Sequence, residues 1–152
     1  MKINDVHVHI LKSLRKDARR SFTQMGASAE IPVTTVFDNY GRLVDEGLIK
    51  KHTSLVDFRK LGFNYRNFVF VKSKDRKELM DFLDSQPCVN SIFKISGYDF
   101  MVDTVFPGMK EFYEFLDALA QVGVAQIETH DVIDSIKSEA FFSQPEKIKI
   151  SK

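Results

Sequence analysis

Through the first third of the chain, apolar residues recur at the spacing of one stripe on an α-helix. Val6, Ile10, Leu11 and Leu14 predict a first helix, capped by Asn4 or Asp5 and running to about Lys16. Its end is basic, through Arg15-Lys16-Asp17-Ala18-Arg19-Arg20, as the helix dipole prefers. Ser21 with Gln24 is a capping-box pair, and Phe22, Met25 and Ala29 follow at helical spacing to give a short second helix. Pro32 suits a first helical turn, after which Val33, Val36, Tyr40, Leu43 and Val44 mark the buried stripe of a third helix. A short helix, a tight turn and a longer helix with one buried stripe form the helix-turn-helix pattern, which points to DNA. Gly47 stops the third helix, and residues 48–56 read as a small basic strand or hairpin, which makes the arrangement a winged one.

The pattern then changes period. Residues 57–62 read as a linker, and 63–72 as a strand with Phe68 and Phe70 on one face and Val69 and Val71 on the other. Ser73 is the expected cap of a helix containing Leu79, Met80, Phe82 and Leu83, which Pro87 ends. Residues 89–95 and 98–106 read as two strands around a Ser96-Gly97 turn. Pro107-Gly108 opens a helix with Met109, Phe112, Leu116 and Leu119 on one side, and 124–136 form a last strand after Gly123. The order βαββαβ is the ferredoxin-like split motif. The fold class is therefore α+β, with a winged helix-turn-helix over 1–56, a linker over 57–62, a ferredoxin-like domain over 63–137 and a terminal arm over 138–152. Because the strands keep apolar residues on both faces and two helices cover only one, the other face calls for a partner, most simply an identical chain.

Charge sharpens this division. The 152 residues carry a formal net charge of +1, but residues 1–62 hold 11 Lys/Arg against 7 Asp/Glu and residues 63–152 hold 11 against 14. A basic front and an acidic rear fit a nucleic-acid module joined to something else. The single cysteine, Cys88, can form no internal disulfide and suggests a reducing cytoplasm. No apolar run approaches the roughly 18 residues that span a bilayer, so no membrane is expected. Asp5-Val6-His7-Val8-His9 has the look of a metal-binding motif, but on a helix His7 and His9 point about 200° apart and cannot share an ion. The chain is also shorter than the roughly 250-residue barrel such hydrolases use. It holds no phosphate loop, no Cys/His ligand spacing and no nucleophile motif, so neither a cofactor nor an enzymatic activity is expected.

The chain resembles the leucine-responsive/asparagine regulator (Lrp/AsnC) family of transcription regulators. The matching residues are Ile10-Leu11-Lys12-Ser13-Leu14-Arg15-Lys16-Asp17-Ala18-Arg19, Thr35-Val36, Arg42-Leu43-Val44-Asp45-Glu46-Gly47-Leu48-Ile49-Lys50, Leu61-Gly62 and Gly97-Tyr98-Asp99. The resemblance spans about residues 4–137. It implies a homodimer or a higher oligomer such as an octamer, with the sheets packed together. It also implies an amino-acid-like effector bound between those domains near the turn Ser96, Gly97, Tyr98 and Asp99. Against the family pattern, Glu30 stands where Gly is usual, Pro32 where a capping Ser is usual, and Ser96 where Gly is usual.

Double-stranded DNA is the expected partner. With the third helix's stripe turned inward, Thr34, Thr35, Asp38, Gly41, Arg42 and Asp45 face outward. Thr34 and Thr35 suit a thymine methyl or a phosphate, Asp38 a cytosine amino group, and Arg42 a guanine edge or a phosphate. Arg19, Ser21, Lys50 and Lys51 complete the expected contact set, the basic ones on the phosphate backbone. Phe37, at the edge of the stripe, is expected to pack in the core. The reading is a sequence-specific regulator; the alternative from another class is a small-molecule-binding or assembly protein with a degenerate DNA-binding domain.

Overall fold

The computed structural model describes residues 2–143. The described residues divide into two compact units, one of residues 2–54 together with 136–143, the other Leu55–Ser135.

The first unit holds three helices: α1 (Asp5–Lys16), α2 (Phe22–Ala27) and α3 (Val33–Asp45). Asn4 caps α1 in a capping box, its side chain accepting from the His7 N–H at 2.9 Å while the His7 Nδ1 accepts from the Asn4 N–H. Ser21 and Gln24 form the same reciprocal pair at the start of α2. Ile10, Met25, Val36 and Leu43 are fully buried and make the core, with Val6, Leu11, Leu14, Phe22, Ile31, Tyr40 and Ile49 packed on it. Both histidines of the first motif lie on α1: His7 is buried in its capping box, and His9 donates from Nε2 to the Met25 carbonyl at 2.9 Å.

The helical unit departs from its hydrophobic periodicity at several points. Ala29 lies beyond the end of α2, in the turn. Residues 48–56 form no strand; after Ile49, whose N–H reaches the Leu43 carbonyl, the stretch has no neighbouring strand to pair with, and its Leu55 and Val56 are exposed. Val33 and Val44 are 43% and 41% exposed instead of buried, because the inward stripe is centred on Val36, Tyr40 and Leu43. Phe37, expected in the core, is 60% exposed.

The second unit opens with a short 3-10 helix, Phe58–Leu61, which Asp57 caps. It continues through β1 (Tyr65–Ser73), α4 (Arg76–Ser85), β2 (Val89–Lys94), β3 (Phe100–Phe106), α5 (Met109–Gln121) and β4 (Val124–Asp131). The strands form one antiparallel sheet in the order β2-β3-β1-β4, the ferredoxin-like arrangement. The register sets Val69 opposite Val102 and Phe70 opposite Met101, so each face keeps its own apolar set. Val69, Val71 and Val102 pack against Leu79 and Leu83 of α4 and Phe112, Phe115 and Leu119 of α5. Phe68, Phe70, Phe93 and Met101 lie on the opposite face. The cap of α4 is Asp75, whose carboxylate takes two N–H groups, and not Ser73; Ser73 instead braces Asp75 through its hydroxyl. β4 ends at Asp131, short of the expected 136: its ladder with β1 closes at the Asn67–Asp131 pair, beyond which the Val132 N–H still donates to the Arg66 carbonyl at 2.8 Å. The expected terminal arm falls within the described residues as far as Ser143; the rest of it lies outside them.

Candidate functional site

Helix α3 is aimed by what precedes it. The α2–α3 turn closes with the Ile31 N–H on the Gly26 carbonyl at 2.9 Å. A Cβ at Gly26 would sit 2.5 Å from the Ile31 carbonyl oxygen, so the turn can be this tight only over glycine. Glu30 occupies the left-handed region at φ 56°, the conformation a glycine adopts without a Cβ penalty. Pro32 stands at the N-cap of α3 and offers its helix no side-chain cap.

On α3, Thr34, Asp38 and Arg42 are exposed and Thr35 is half-buried. The Thr35 carbonyl accepts from the Asn39 side chain at 2.8 Å. Ser21 is exposed at the start of α2 with its hydroxyl accepting from the Gln24 N–H. Arg19, Lys50 and Lys51 are exposed. Arg15, in the basic end of α1, is differently placed. Its guanidinium pairs with the Glu139 carboxylate at 3.1 Å and donates to the Phe141 carbonyl at 3.0 Å. The residues after α3 are tied to it by side chains: Tyr40 and His52 share a 3.0 Å hydrogen bond and stack with ring centroids 6.2 Å apart. That contact holds Lys50 and Lys51 in a short span between Ile49 and His52, without a strand ladder.

The turn before β3 is the second place of interest. Ser96 and Gly97 are exposed, and Gly97 adopts φ 85°, which few side chains tolerate. The Asp99 carboxylate accepts from the Ser73 backbone N–H at 2.9 Å and from the Arg76 guanidinium at 2.6 Å. These donors, the Ser73 N–H first, hold its carboxyl below the usual range. Asp99 thereby orders the turn. Tyr98 packs on Phe70 at 5.6 Å and donates its phenol to Glu128. Glu128 also pairs with His130 at 2.6 Å, and the Tyr98 and His130 bonds lower its carboxyl, Tyr98 contributing more. Lys72 lies 5.6 Å above the Tyr98 ring.

Glu128 and His130 were not singled out from the sequence. The alternation Gln126, Glu128, His130 along β4 was visible, but only the pairing of Glu128 with Phe70 and His130 with Phe68 brings it beside Tyr98. Among the described residues, no group of three or more His, Cys, Asp or Glu is arranged to hold a metal ion, and no helix is long and apolar enough to cross a membrane.

The family model described as the Lrp/AsnC ligand binding domain matches residues 67–140. An uncharacterised HTH-type transcriptional regulator of Pyrococcus furiosus is 24% identical over 143 residues, covering 91% of this chain and 97% of its own. The HTH-type transcriptional regulator LrpC of Bacillus subtilis is 24% identical over 142 residues, again covering 91% of this chain and 97% of its own. The solved structure of that LrpC superposes with a TM-score of 0.83 at 23% identity, covering 91% of this chain and 99% of the other. A transcriptional regulator of Neisseria meningitidis, solved as an L-Met complex, superposes with a TM-score of 0.81 at 20% identity, covering 90% of this chain and 94% of the other.

Proposed function

The chain belongs to the Lrp/AsnC family of transcription regulators, DNA-binding proteins and not enzymes, and from that premise we propose a sequence-specific, effector-controlled regulator acting as a homodimer or larger assembly. The observation that carries this reading is α3, fixed behind the Ser21–Gln24 capping box and the Gly26 turn with Thr34, Asp38 and Arg42 open to solvent. In a helix-turn-helix this second helix enters the major groove. Arg42, Thr34, Thr35 and Asp38 are the base-reading candidates, while Arg19, Ser21, Lys50 and Lys51 hold the phosphate backbone.

Assembly is proposed through the sheet face that carries Phe68, Phe70, Phe93 and Met101, with Phe93 48% exposed. A two-fold pair presents two copies of α3 to two half-sites about one helical turn apart. An amino-acid-like effector is proposed at the turn Ser96, Gly97, Tyr98 and Asp99. Asp99 keeps the turn in shape there, and the Tyr98–Glu128–His130 row supplies polar groups beside it. Such a protein works in the cytoplasm, beside the DNA it regulates.

Selection of bound fragments from random double-stranded DNA at low salt tests the reading. It should enrich a site with two related halves, and the enriched site should bind more or less tightly when the right member of an amino-acid panel is added. Absence of any DNA binding at low salt would contradict it. Binding that ignores the whole panel would remove the effector part alone.

A further inference from the structure

The solvent-facing side of α3 is not wholly polar. Val33 and Phe37 are 43% and 60% exposed. They lie one turn apart in the N-terminal half of the helix, on the strip that flanks Thr34 and Asp38 at about 100° per residue. The Phe37 ring is braced from behind: it meets Phe22 edge-on at 5.7 Å and 78°, and Phe22 in turn packs 5.0 Å from Tyr40. Val33 is seated against the turn, its methyl 3.7 Å from the position a Cβ would take on Gly26. The pair is thus held in place by packing on one side and open on the other. It also continues the face that meets DNA, on the half of the helix whose residues reach base edges in this motif.

Basic readers are few on that face. Among Thr34, Thr35, Asp38, Gly41, Arg42 and Asp45, Arg42 alone is basic. The major groove offers one feature that an apolar side chain can read, the C5-methyl of thymine. We infer that Phe37, with Val33 beside it, recognises thymine methyl groups in each half-site, so that apolar contact sets a large share of the sequence preference. This inference rests on the DNA-binding reading above and deepens it.

The test begins with a site selected by the full chain. Each thymine in that site is then replaced in turn by deoxyuridine, which removes the methyl and keeps the hydrogen-bonding edge. At one or two positions per half-site the unaltered protein should lose about three- to fivefold in affinity, the worth of one buried methyl-sized group. Phe37→Ala should weaken the selected site, leave affinity for random DNA unchanged and abolish the difference between thymine and deoxyuridine. Should Phe37→Ala fail to fold, Phe37→Leu serves in its place, expected to fold and to shrink the difference. The inference is overturned, with DNA binding intact, if every replacement is silent in the unaltered protein. It is equally overturned if the thymine effect survives undiminished in the Phe37 variant and in Val33→Ala. If the full chain selects no DNA at all, the underlying DNA-binding reading fails first.

Discussion

At the scale of single residues, two glycines of the helical unit have opposite meanings. Gly41 lies inside α3, and a Cβ there would meet nothing within 4 Å, so Gly41→Ala should raise stability by about 0.8–1 kcal/mol through helix propensity, read as a higher midpoint in urea unfolding. Gly26→Ala should lower the midpoint, because its Cβ would collide with the Ile31 carbonyl. The sequence identified Gly41 as an interior helix glycine, but the close approach at Gly26 exists only once the turn has folded. Tyr65 supplies a pH dependence. Its phenol donates to the Asp131 carboxylate at 2.6 Å, and that bond pushes its pKa up to about 12. The bond needs the proton, so its contribution to stability is complete below pH about 10 and is lost as pH rises through about 12. An absorbance titration should show a late tyrosine step that Tyr65→Phe removes.

At the scale of elements, caps and periodicity were legible and pairing was not. The Ser21–Gln24 box, the α1 cap and the βαββαβ order follow from patterns within a few residues of one another. Ser21→Ala, which removes the hydroxyl that accepts from the Gln24 N–H, should cost about 1 kcal/mol in thermal unfolding. The strand expected over residues 48–56 failed for a reason no local pattern carries: a strand needs a partner, and the Tyr40–His52 contact fastens the stretch instead. The same limit explains Ser73, which looked like a cap but braces the true cap, Asp75. It explains Phe37 as well, since a residue at the edge of the stripe reads as core, whereas its ring meets Phe22 at 78° and stays 60% exposed.

At the scale of the whole molecule, the uncovered face of the sheet and the outward face of α3 make linked demands. If Phe68, Phe70, Phe93 and Met101 form the contact between copies, light scattering across a dilution series should show no stable monomer at micromolar concentration. A folded monomer there would remove the two-half-site picture. The central claim, that α3 reads sequence while its surroundings hold the backbone, is tested most directly by one set of binding measurements. Lys50→Ala, Arg19→Ala, Thr34→Ala and Arg42→Ala are each titrated against a selected site and against random DNA at several salt concentrations. Lys50→Ala and Arg19→Ala should weaken binding to both DNAs alike and flatten the salt dependence by about one unit. Thr34→Ala and Arg42→Ala should cost about 1–3 kcal/mol on the selected site with little change on random DNA. Four variants that behave identically on both DNAs would contradict the account.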